Sequence, residues 1–321
     1  MPYIAYQDNG ATIWEGDCRE VLRGLDESSV HCVVTSPPYW GLRDYGADGQ
    51  LGLEETPAQH VANMVEVFRE VRRVLREDGT LWLNYGDTYA STTSGYGKRG
   101  GSYEDERNNW GDVAPHRTPI PAGLKPKDLC GIPWRVAFAL QEDGWWLRQD
   151  IIWHKPNPMP ETVRDRCTKS HEYIFLLAKS LRYYYDADAI KEQSVDPESH
   201  KGIRKRAPQQ FVRESPEKPR TREGLAKLDG VTYPRRNRRS VWTIPTAPYH
   251  GAHFATFPPD LVKPCIMAGC PDGGTVLDPF TGSGTVAEVA RANGCKFVGA
   301  ELNPEYIELA KKRLQQRGLF V

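Results

Sequence analysis

The sequence lacks the features that mark secreted and membrane proteins. Its seven cysteines form no C-x-x-C pair, and an odd number of scattered cysteines is typical of reduced thiols inside the cell. It has no apolar run near the roughly 18 residues that a membrane-spanning helix needs. Its amino end carries no basic-then-apolar leader pattern. We therefore expect a soluble, cytoplasmic protein that binds no membrane.

A net charge and a set of metal ligands are also absent. Lysine plus arginine and aspartate plus glutamate each number 42, so no overall electrostatic field attracts a polyanion. No group of His, Cys and Asp residues has the spacing of metal ligands, and we predict no metal site. The 321 residues can still bury one large core, or a core and a smaller lobe.

The most informative segment that is present is the hexapeptide Thr35–Trp40, with the sequence TSPPYW. It follows an apolar strand candidate, Val30–Val34, and is therefore expected where a strand leads into a loop. Two consecutive prolines have a fixed φ and no N–H, so they hold the carbonyls of the loop rigid with no donor beside them. A hydroxyl and an aromatic ring flank that frame. The arrangement suits a flat ring with hydrogen-bond donors in its plane, such as a nucleobase with an exocyclic amino group.

Hydrophobic periodicity predicts alternating strands and helices along most of the chain. A hairpin or strand is predicted within residues 4–14, a helix over 18–25, and a helix from Pro57 that ends at Asp78-Gly79. The alternation predicts a mainly parallel sheet with covering helices. The other predicted elements are strands at 80–85, 146–153, 173–177, 275–277 and 296–300, and helices at 133–141, 260–268, 285–293 and 304–317.

A second informative stretch, Val276–Thr285, combines a strand, a glycine-rich turn and a helix. Gly282 and Gly284 allow a ligand to approach the backbone, and a helix N-terminus favours negative charge. Glu301 ends the following strand, where an acidic group can hold a ribose diol. The turn lacks the third glycine of a dinucleotide motif. We interpret it as a site for a nucleoside-type cofactor, with a structural tight turn and a dinucleotide-binding oxidoreductase as alternatives.

Together the two stretches resemble the DNA amino-methyltransferases, which use S-adenosyl-L-methionine. The catalytic tetrapeptide of that family, Ser/Asn/Asp-Pro-Pro-aromatic, is matched by Ser36, Pro37, Pro38 and Tyr39. A catalytic motif that precedes the cofactor motif is the order of the family's β group. The resemblance implies a Rossmann-like methyltransferase fold, with a mainly parallel sheet, an antiparallel edge strand, helices on both faces and irregular DNA-recognition insertions.

The resemblance also implies which residues bind the cofactor. Asp17 matches the acidic residue that faces the adenine of the cofactor, and Glu301 matches the acid that holds its ribose. The segment 253–258 resembles the part that contacts the methionine portion. The predicted cofactor-binding residues are Asp17, Thr35, Thr256, Phe257, Asp278, Pro279, Phe280, Thr281, Gly282, Ser283, Gly284, Thr285, Glu301 and Asn303.

Ser36 bears on which base is methylated. Within the family, Ser at this position usually accompanies methylation of cytosine N4, whereas Asp or Asn usually accompanies adenine N6. We therefore expect a cytosine-N4 enzyme, with adenine N6 as the alternative. The Ser36 hydroxyl and the Pro37 carbonyl would accept the amino N–H bonds, which favours a tetrahedral nitrogen whose lone pair can attack a methyl group. Tyr39 would stack on the base after it leaves the duplex.

Methylation of cytosine carbon 5 is a different chemistry, because it needs a cysteine nucleophile. The only Pro-Cys dipeptide of the chain, Pro264-Cys265, lies inside the helix predicted over 260–268 with apolar neighbours. We therefore expect Cys265 to be a buried structural residue.

The region 201–240 is strongly basic, with 13 Lys or Arg against 4 Asp or Glu. Such density suggests contact with the phosphates of double-stranded DNA, and a solvated linker is the alternative. The irregular segment 91–127 is a second candidate, because Arg107 and Trp110 offer base-edge and stacking groups. The predicted DNA-binding residues are Trp40, His154, Lys155, Arg204, Lys205, Arg206, Arg235, Arg236, Arg238 and Arg239.

The inclusion of Trp40, and that of His154 and Lys155, each depends on a specific interpretation. Trp40 has two interpretations, since it either lines the base pocket or caps the core. His154 and Lys155 begin the sequence HKPNP, which resembles the family's loop near the flipped base.

The predicted organisation divides the catalytic domain into three parts. A separately acting restriction endonuclease is a partner that the resemblance allows, and a monomer and a homodimer are both compatible with the sequence. A catalytically silent DNA-binding module and a methyltransferase that acts on RNA or protein are further alternatives. The predicted segments are 1–90 (catalytic part, with SPPY), 91–130 (insertion), 131–190 (catalytic part), 191–240 (basic target-recognition region) and 241–321 (cofactor-binding part).

Overall fold

The structure is a computed structural model that describes residues 1–42, 49–90, 120, 123–195, 234–246 and 258–317. Predictions that fall on the remaining residues, among them Thr256, Phe257 and the cluster Arg204–Arg206, lie outside the described residues. The chain forms two compact units, one of residues 1–186 with 240–321 and one of residues 187–239.

The elements follow the predicted alternation. The strands are β1 (Tyr3–Gln7), β2 (Ala11–Glu15), β3 (Val30–Thr35), β4 (Leu75–Tyr85), β5 (Trp146–His154), β6 (His171–Ala178), β7 (Glu192–Gln193), β8 (Arg235–Arg236), β9 (Val241–Thr243), β10 (Thr275–Asp278) and β11 (Lys296–Glu301). The helices are α1 (Cys18–Arg23), α2 (Pro57–Val74), α3 (Ile132–Glu142), α4 (Pro259–Gly269), α5 (Thr285–Ala292) and α6 (Pro304–Arg317).

The strands of the larger unit form a single sheet in the order β1-β2-β11-β10-β3-β4-β6-β5-β9. Neighbours from β2 through to β4 run parallel, and β1 is an antiparallel edge strand. β6 is antiparallel to both of its neighbours, while β9 runs parallel to β5 at the other edge. The prediction of a mainly parallel sheet with an antiparallel edge strand is confirmed.

Alternation along β4 places helices on both faces of the sheet, because successive side chains of a strand point to opposite sides. Leu81 and Leu83 belong to the core cluster that the buried face of α2 fills. Thr80 faces the other way, and its hydroxyl donates to the carbonyl of Gly269 at the end of α4, at 3.4 Å. Helix α2 packs against α1 and α3, whereas α5 packs against α4 and α6. None of the described helices is long and apolar enough to cross a membrane.

Helix α2 starts where the sequence predicts and ends earlier. Thr56, which directly precedes Pro57, is the N-cap and forms a capping box with Gln59 in the first turn of the helix. The prediction that the helix continues to Asp78-Gly79 is wrong, because Leu75 already has an extended backbone and begins β4. Leu75 pairs with Val30 at the start of β3, and this pairing with a distant strand outweighs the helical periodicity of its side chain.

The sheet brings together two loops that are far apart in the chain. β3 and β10 are hydrogen-bonded parallel neighbours, with Leu277 opposite Val33. Because the carboxyl ends of parallel strands lie at the same edge of a sheet, the loop that begins at Ser36 meets the loop that begins at Pro279.

Candidate active site

A cavity of about 270 Å³ lies at this edge of the sheet, within the larger unit. Its walls come from loops that follow β2, β3, β10 and β11, and from the ends of β4, β5 and β6. The lining residues are Gly16, Asp17, Cys18, Ser36, Pro37, Pro38, Tyr39, Leu42, Gly49, Gln50, Leu51, Asn84, Trp153, Lys155, Glu172, Thr246, Pro279, Phe280, Thr281, Gly282, Ser283, Thr285, Ala300, Glu301, Leu302, Asn303 and Tyr306.

Asp278 joins the two loops beneath the cavity. Its Oδ1 accepts a hydrogen bond from the Thr35 hydroxyl at 2.6 Å and another from the Phe280 backbone N–H at 3.0 Å. Its Oδ2 is buried and has no hydrogen-bond partner among the residues that the structure describes. Burial raises the pKa of Asp278 to about 7. The carboxyl is therefore held in place by one oxygen and is easily protonated near neutral pH.

The glycine-rich turn is tied to the end of β11 through Glu301. The backbone N–H of Gly282 donates to Glu301 Oε2 at 2.7 Å, and the N–H of Asn303 donates to Oε1 at 2.9 Å. Burial raises the pKa of Glu301, although these backbone bonds act in the opposite direction. Both carboxylate oxygens thus have a fixed orientation beside the cavity.

The turn leaves room for a ligand. Gly282 has a φ of +53°, and a Cβ placed on it would have no neighbour nearer than the Phe280 carbonyl oxygen at 3.9 Å. Ser283 lines the same cavity, and its hydroxyl oxygen is buried without a hydrogen-bond partner in the described part of the chain. An open backbone approach, a buried polar atom without a partner and a fixed carboxylate together fit a nucleoside-type cofactor.

Asp17 is the N-cap of α1 and follows β2, the strand paired with β11, so it lines the cavity close to the end of β11. Its Oδ1 accepts from the backbone N–H of Arg19 at 2.8 Å, and its carboxylate pairs with the Arg19 guanidinium. Burial opposes ionisation, but the hydrogen bonds from Arg19 lower the pKa of Asp17 overall. Asp17 therefore carries an ionised carboxylate at the N-terminus of α1.

The SPPY loop carries a chain of hydrogen bonds that enters the cavity. The Ser36 hydroxyl donates to the Tyr39 hydroxyl oxygen at 3.3 Å. The Tyr39 hydroxyl donates in turn to Glu172 Oε2 at 2.8 Å. The other oxygen of Glu172 accepts from Lys155 Nζ, which lies 4.3 Å from the centre of the Trp153 ring.

A buried network supports the SPPY loop from below. The ring of Tyr39 stacks on that of Tyr85, with centroids 5.3 Å apart. The Tyr85 hydroxyl contacts His60 Nε2, and His60 Nδ1 contacts Glu54 Oε2 at 2.8 Å. Although burial opposes ionisation, hydrogen bonds with His60 and Asn63 lower the pKa of Glu54 to about 2. The ring of Tyr39 thus rests on Tyr85, whose hydroxyl is connected through His60 to the Glu54 carboxylate.

A family model described as "DNA methylase" matches residues 30–312 of the sequence. The chain belongs to this family. This confirms the predicted family of DNA amino-methyltransferases, and the predicted cofactor, S-adenosyl-L-methionine, is confirmed at the level of the family.

The comparisons with individual proteins agree with this assignment. The Type II methyltransferase M.Cfr9I of Citrobacter freundii is 50% identical to this DNA methylase over 307 residues, which cover 96% of this chain and 88% of that protein. The structure of the PvuII DNA methyltransferase (cytosine-N4-specific) has a TM-score of 0.64 and 18% identity, with coverage of 97% and 88%, and supports the fold.

A second solved structure comes from a protein with a bound ligand. The putative DNA modification methylase TTHA0409 of Thermus thermophilus, complexed with S-adenosyl-L-methionine, has a TM-score of 0.55 and 25% identity. The match covers 96% of this chain and 95% of that chain. The predicted methyltransferase fold is confirmed by these neighbours.

The structure brings most of the predicted catalytic and cofactor-binding residues of this DNA methylase into one cavity. Thr35, Asp278 and Gly284 do not line it, but the bond between Thr35 and Asp278 joins the two loops, and Gly284 is the N-cap of α5. The predicted residues that line it are Asp17, Ser36, Pro37, Pro38, Tyr39, Lys155, Pro279, Phe280, Thr281, Gly282, Ser283, Thr285, Glu301 and Asn303.

Of the predicted DNA-binding residues in the larger unit, Trp40 and His154 do not line the cavity. Trp40 is only 1% exposed and its indole N–H donates to the Glu54 carbonyl at 2.8 Å, so it caps the core and has no surface for DNA. This corrects the prediction that Trp40 contacts DNA. His154 does not line the cavity, and its Nδ1 lies 3.1 Å from the Thr243 hydroxyl of the neighbouring strand β9.

The smaller unit shows how part of the basic cluster is held. Arg236 and Arg239 each direct Nε to Glu192 Oε1, at 2.9 and 3.0 Å. Arg235 donates to the carbonyl of Lys191 at 2.8 Å. One carboxylate therefore neutralises part of the positive charge that the sequence places here.

Sequence reasoning missed Glu172 and Asn84, which line the cavity. Glu172 directly precedes the strand predicted over 173–177, so a charged residue at the start of a buried strand was the available signal. The antiparallel pairing of β6 with β4 brings that start to the catalytic edge, and the sequence pattern does not reveal the pairing.

The cysteine expectation agrees with the structure. Cys265 is buried in α4, and its thiol donates to the Leu261 carbonyl at 3.3 Å. It does not line the cavity. Within the described residues, no group of three His, Cys, Asp or Glu is placed to hold a metal ion.

Proposed function

We propose that this DNA methylase transfers a methyl group to the exocyclic N4 of a cytosine that has been flipped out of double-stranded DNA. The observation that carries the proposal is the position of Ser36, whose neutral hydroxyl shares one cavity with the glycine-rich turn and Glu301. Family membership supports amino methylation of DNA, and the choice of cytosine rests on Ser36.

The cofactor half of the cavity fits S-adenosyl-L-methionine. When bound, the cofactor supplies a methyl group activated by a positively charged sulfur. Glu301 would accept the ribose hydroxyls, since both of its oxygens are already oriented by backbone N–H groups. Asp17 would face the adenine, and Gly282 would allow the ligand to approach the backbone closely.

The catalytic half of the cavity would activate the amino nitrogen. Its lone pair is delocalised into the ring, which makes the free base a poor nucleophile. Hydrogen bonds from the two amino hydrogens to the Ser36 hydroxyl and the Pro37 carbonyl favour a more tetrahedral nitrogen, and the lone pair then points away from the ring. The prolines keep these acceptors fixed, so alignment supplies much of the rate acceleration.

Tyr39 would hold the flipped base in place. One side of its ring rests on Tyr85, and Tyr39 also lines the cavity, where a base can stack against it. Stacking of this kind contributes about 1–3 kcal/mol per base. A flipped base is needed because an amino group inside the duplex cannot reach the methyl group.

We also propose that residues 191–240 form the target-recognition region and contact DNA phosphates. The arginines at 235, 236, 238 and 239 supply the charge, and Glu192 orients two of them. Phosphate contacts fix the position of the protein on the duplex, whereas base contacts select the sequence.

Nucleoside analysis tests the proposed function. Plasmid DNA is incubated with the protein and S-adenosyl-L-methionine, digested to nucleosides and examined by mass spectrometry, and we expect N4-methylcytosine. N6-methyladenine as the only product would overturn the choice of base and leave amino methylation intact. Transfer of labelled methyl groups to RNA or protein, with none to duplex DNA, would overturn the choice of DNA as substrate.

A further inference from the structure

We propose that Glu172 is a positioning residue for methyl transfer, which acts through Tyr39 to keep the Ser36 hydroxyl oriented as a hydrogen-bond acceptor for the target amino group. The inference deepens the proposed function and rests on methylation of an amino nitrogen, but not on the choice between cytosine and adenine.

Three oxygens in a row form the connection. Ser36 Oγ lies 3.3 Å from the Tyr39 hydroxyl oxygen, and that oxygen lies 2.8 Å from Glu172 Oε2. All three side chains line the cavity. The chain therefore runs from a carboxylate at the start of β6 to the hydroxyl that faces the substrate.

The chemistry of the groups fixes the direction of these bonds. An ionised carboxylate can only accept hydrogen bonds, whereas each hydroxyl has one proton to donate. Burial and the nearby charge of Glu172 raise the pKa of Tyr39, so Tyr39 keeps its proton. Its hydroxyl lies 2.8 Å from Glu172 Oε2 and 3.1 Å from Asn84 Oδ1, and the shorter contact is to the charged oxygen, which is the stronger acceptor. The oxygen of Tyr39 is then an acceptor for the proton of Ser36.

This direction determines what Ser36 offers to the substrate. The only hydroxyl proton of Ser36 is donated to Tyr39, so Ser36 can offer only its oxygen lone pairs to a group in the cavity. An amino group supplies N–H donors, which match an acceptor. Without the Glu172 carboxylate, only the neutral Asn84 Oδ1 at 3.1 Å competes with Ser36 for the Tyr39 proton, and whenever that proton turns towards Ser36, the Ser36 proton faces the amino group, donor against donor.

The surroundings hold Glu172 in this role. Lys155 Nζ donates to its Oε1, and the Asn84 amide donates to its Oε2 at 3.3 Å. Asn84 is itself fixed, because the same amide nitrogen also donates to the Tyr173 carbonyl at 3.0 Å and its Oδ1 lies 3.1 Å from the Tyr39 hydroxyl. The carboxylate therefore has a defined position, and its contact with Tyr39 does not depend on a mobile side chain.

A double-mutant cycle with Tyr39→Phe and Glu172→Gln tests the proposal. Gln keeps the size of Glu but can also donate, and Phe removes only the hydroxyl. We expect each single variant to lower the single-turnover rate on plasmid DNA about 10-fold or more, because a hydrogen bond to a charged group contributes that much. Equilibrium dissociation constants for S-adenosyl-L-methionine and DNA are measured in parallel and should change less than about 2-fold.

Coupling is the decisive result. If Glu172 acts through Tyr39, the double variant is no slower than the slower single variant. If the two losses multiply, Glu172 acts independently, for example by touching the base itself, and the proposal is overturned. If Glu172→Gln does not fold, Tyr39→Phe alone still decides, since a wild-type rate in that variant overturns the connection.

A matched control is available at the far edge of the sheet. The Tyr6 hydroxyl donates to Asp8 Oδ2, also at 2.8 Å, in strand β1 and the turn after it. Tyr6→Phe and Asp8→Asn should leave the rate unchanged. The nucleoside analysis of the wild-type protein reports separately on the proposed function, so a failure of the cycle and a failure of that function can be told apart.

Discussion

The Thr35 hydroxyl and Asp278 Oδ1 lie 2.6 Å apart although 243 positions separate the two residues in the chain. Thr35 ends the strand that carries the SPPY loop, and Asp278 ends the strand that carries the glycine-rich turn. The bond therefore fixes the catalytic half of the cavity against the cofactor half. Because Asp278 is bonded to Thr35 and to the start of the glycine-rich turn, a change in its protonation affects both halves of the cavity.

Asp278→Asn should remove one component of the pH dependence of stability in the cofactor-free protein. The folded carboxyl has a pKa of about 7 against an ordinary value of 3.8, so the folded state keeps this proton where the unfolded chain has lost it. The free energy of unfolding therefore falls as pH rises from about 4 to about 7 and levels off above that range. Urea denaturation across this range measures it, and parallel curves for variant and wild type would contradict the assignment.

Ser36→Ala should lower turnover by about 10- to 100-fold, since an acceptor for the amino group is lost. The dissociation constant of S-adenosyl-L-methionine should stay near the wild-type value, because Ser36 lies in the catalytic half of the cavity. Single-turnover methylation and calorimetric titration measure the two quantities. Ser29→Ala is the control, since the Ser29 hydroxyl donates to the Asp26 carbonyl just before β3 begins, at the opposite end of that strand. An equal loss of cofactor affinity in Ser36→Ala would count against the catalytic role.

Alanine at Gly282 should mainly affect cofactor binding, whereas alanine at Gly284 should mainly affect stability. Both residues have a positive φ, +53° and +81°. A Cβ on Gly284 would come within 2.8 Å of the Ala310 Cβ and 3.0 Å of its Cα, so Gly284→Ala should destabilise the fold by about 1–3 kcal/mol beyond the backbone cost of its positive φ. A Cβ on Gly282 meets open space, so Gly282→Ala should cost about 1–2 kcal/mol for the backbone alone and should mainly weaken cofactor binding. Denaturation and titration of both variants separate the effects, and equal cofactor affinity in Gly282→Ala and wild type would refute the close approach.

Charge reversal at Arg235 and Arg236 should weaken DNA binding and flatten its salt dependence. Each lost phosphate contact lowers the slope of log K against log salt by about 0.9. The double variant Arg76→Glu/Lys296→Glu has the same net charge, and both of its sites lie near the amino ends of strands, away from the cavity. Binding measured at several salt concentrations compares them. An identical slope in the two double variants would place the phosphate contacts elsewhere.

The sequence was most informative where a structure depends on neighbouring residues. The helix start at Pro57, the rigid prolines and the strand–turn–helix around Gly282 are local, and each lies where the pattern predicts. Trp40 could not be assigned, because its burial depends on how the long connection between β3 and α2 folds back so that the Glu54 carbonyl accepts its N–H.

Long-range pairing accounts for the rest. Leu75 fits the helical pattern of α2, yet it pairs with Val30 and becomes the first residue of β4. Glu172 reaches the site only because β6 runs antiparallel beside β4. Neither pairing has a signal in a single sequence, since it depends on which distant strands become neighbours in the folded sheet.

The strand order also has a consequence for synthesis on the ribosome. β10 and β11 lie between β2 and β3 in the sheet but are made last. Until they emerge, β2 and β3 lack the partners to which their backbone groups bond on that side. A growing chain that already displays its complete proline loop thus has only half a cavity, and it gains the other half only after β10 and β11 have been synthesised.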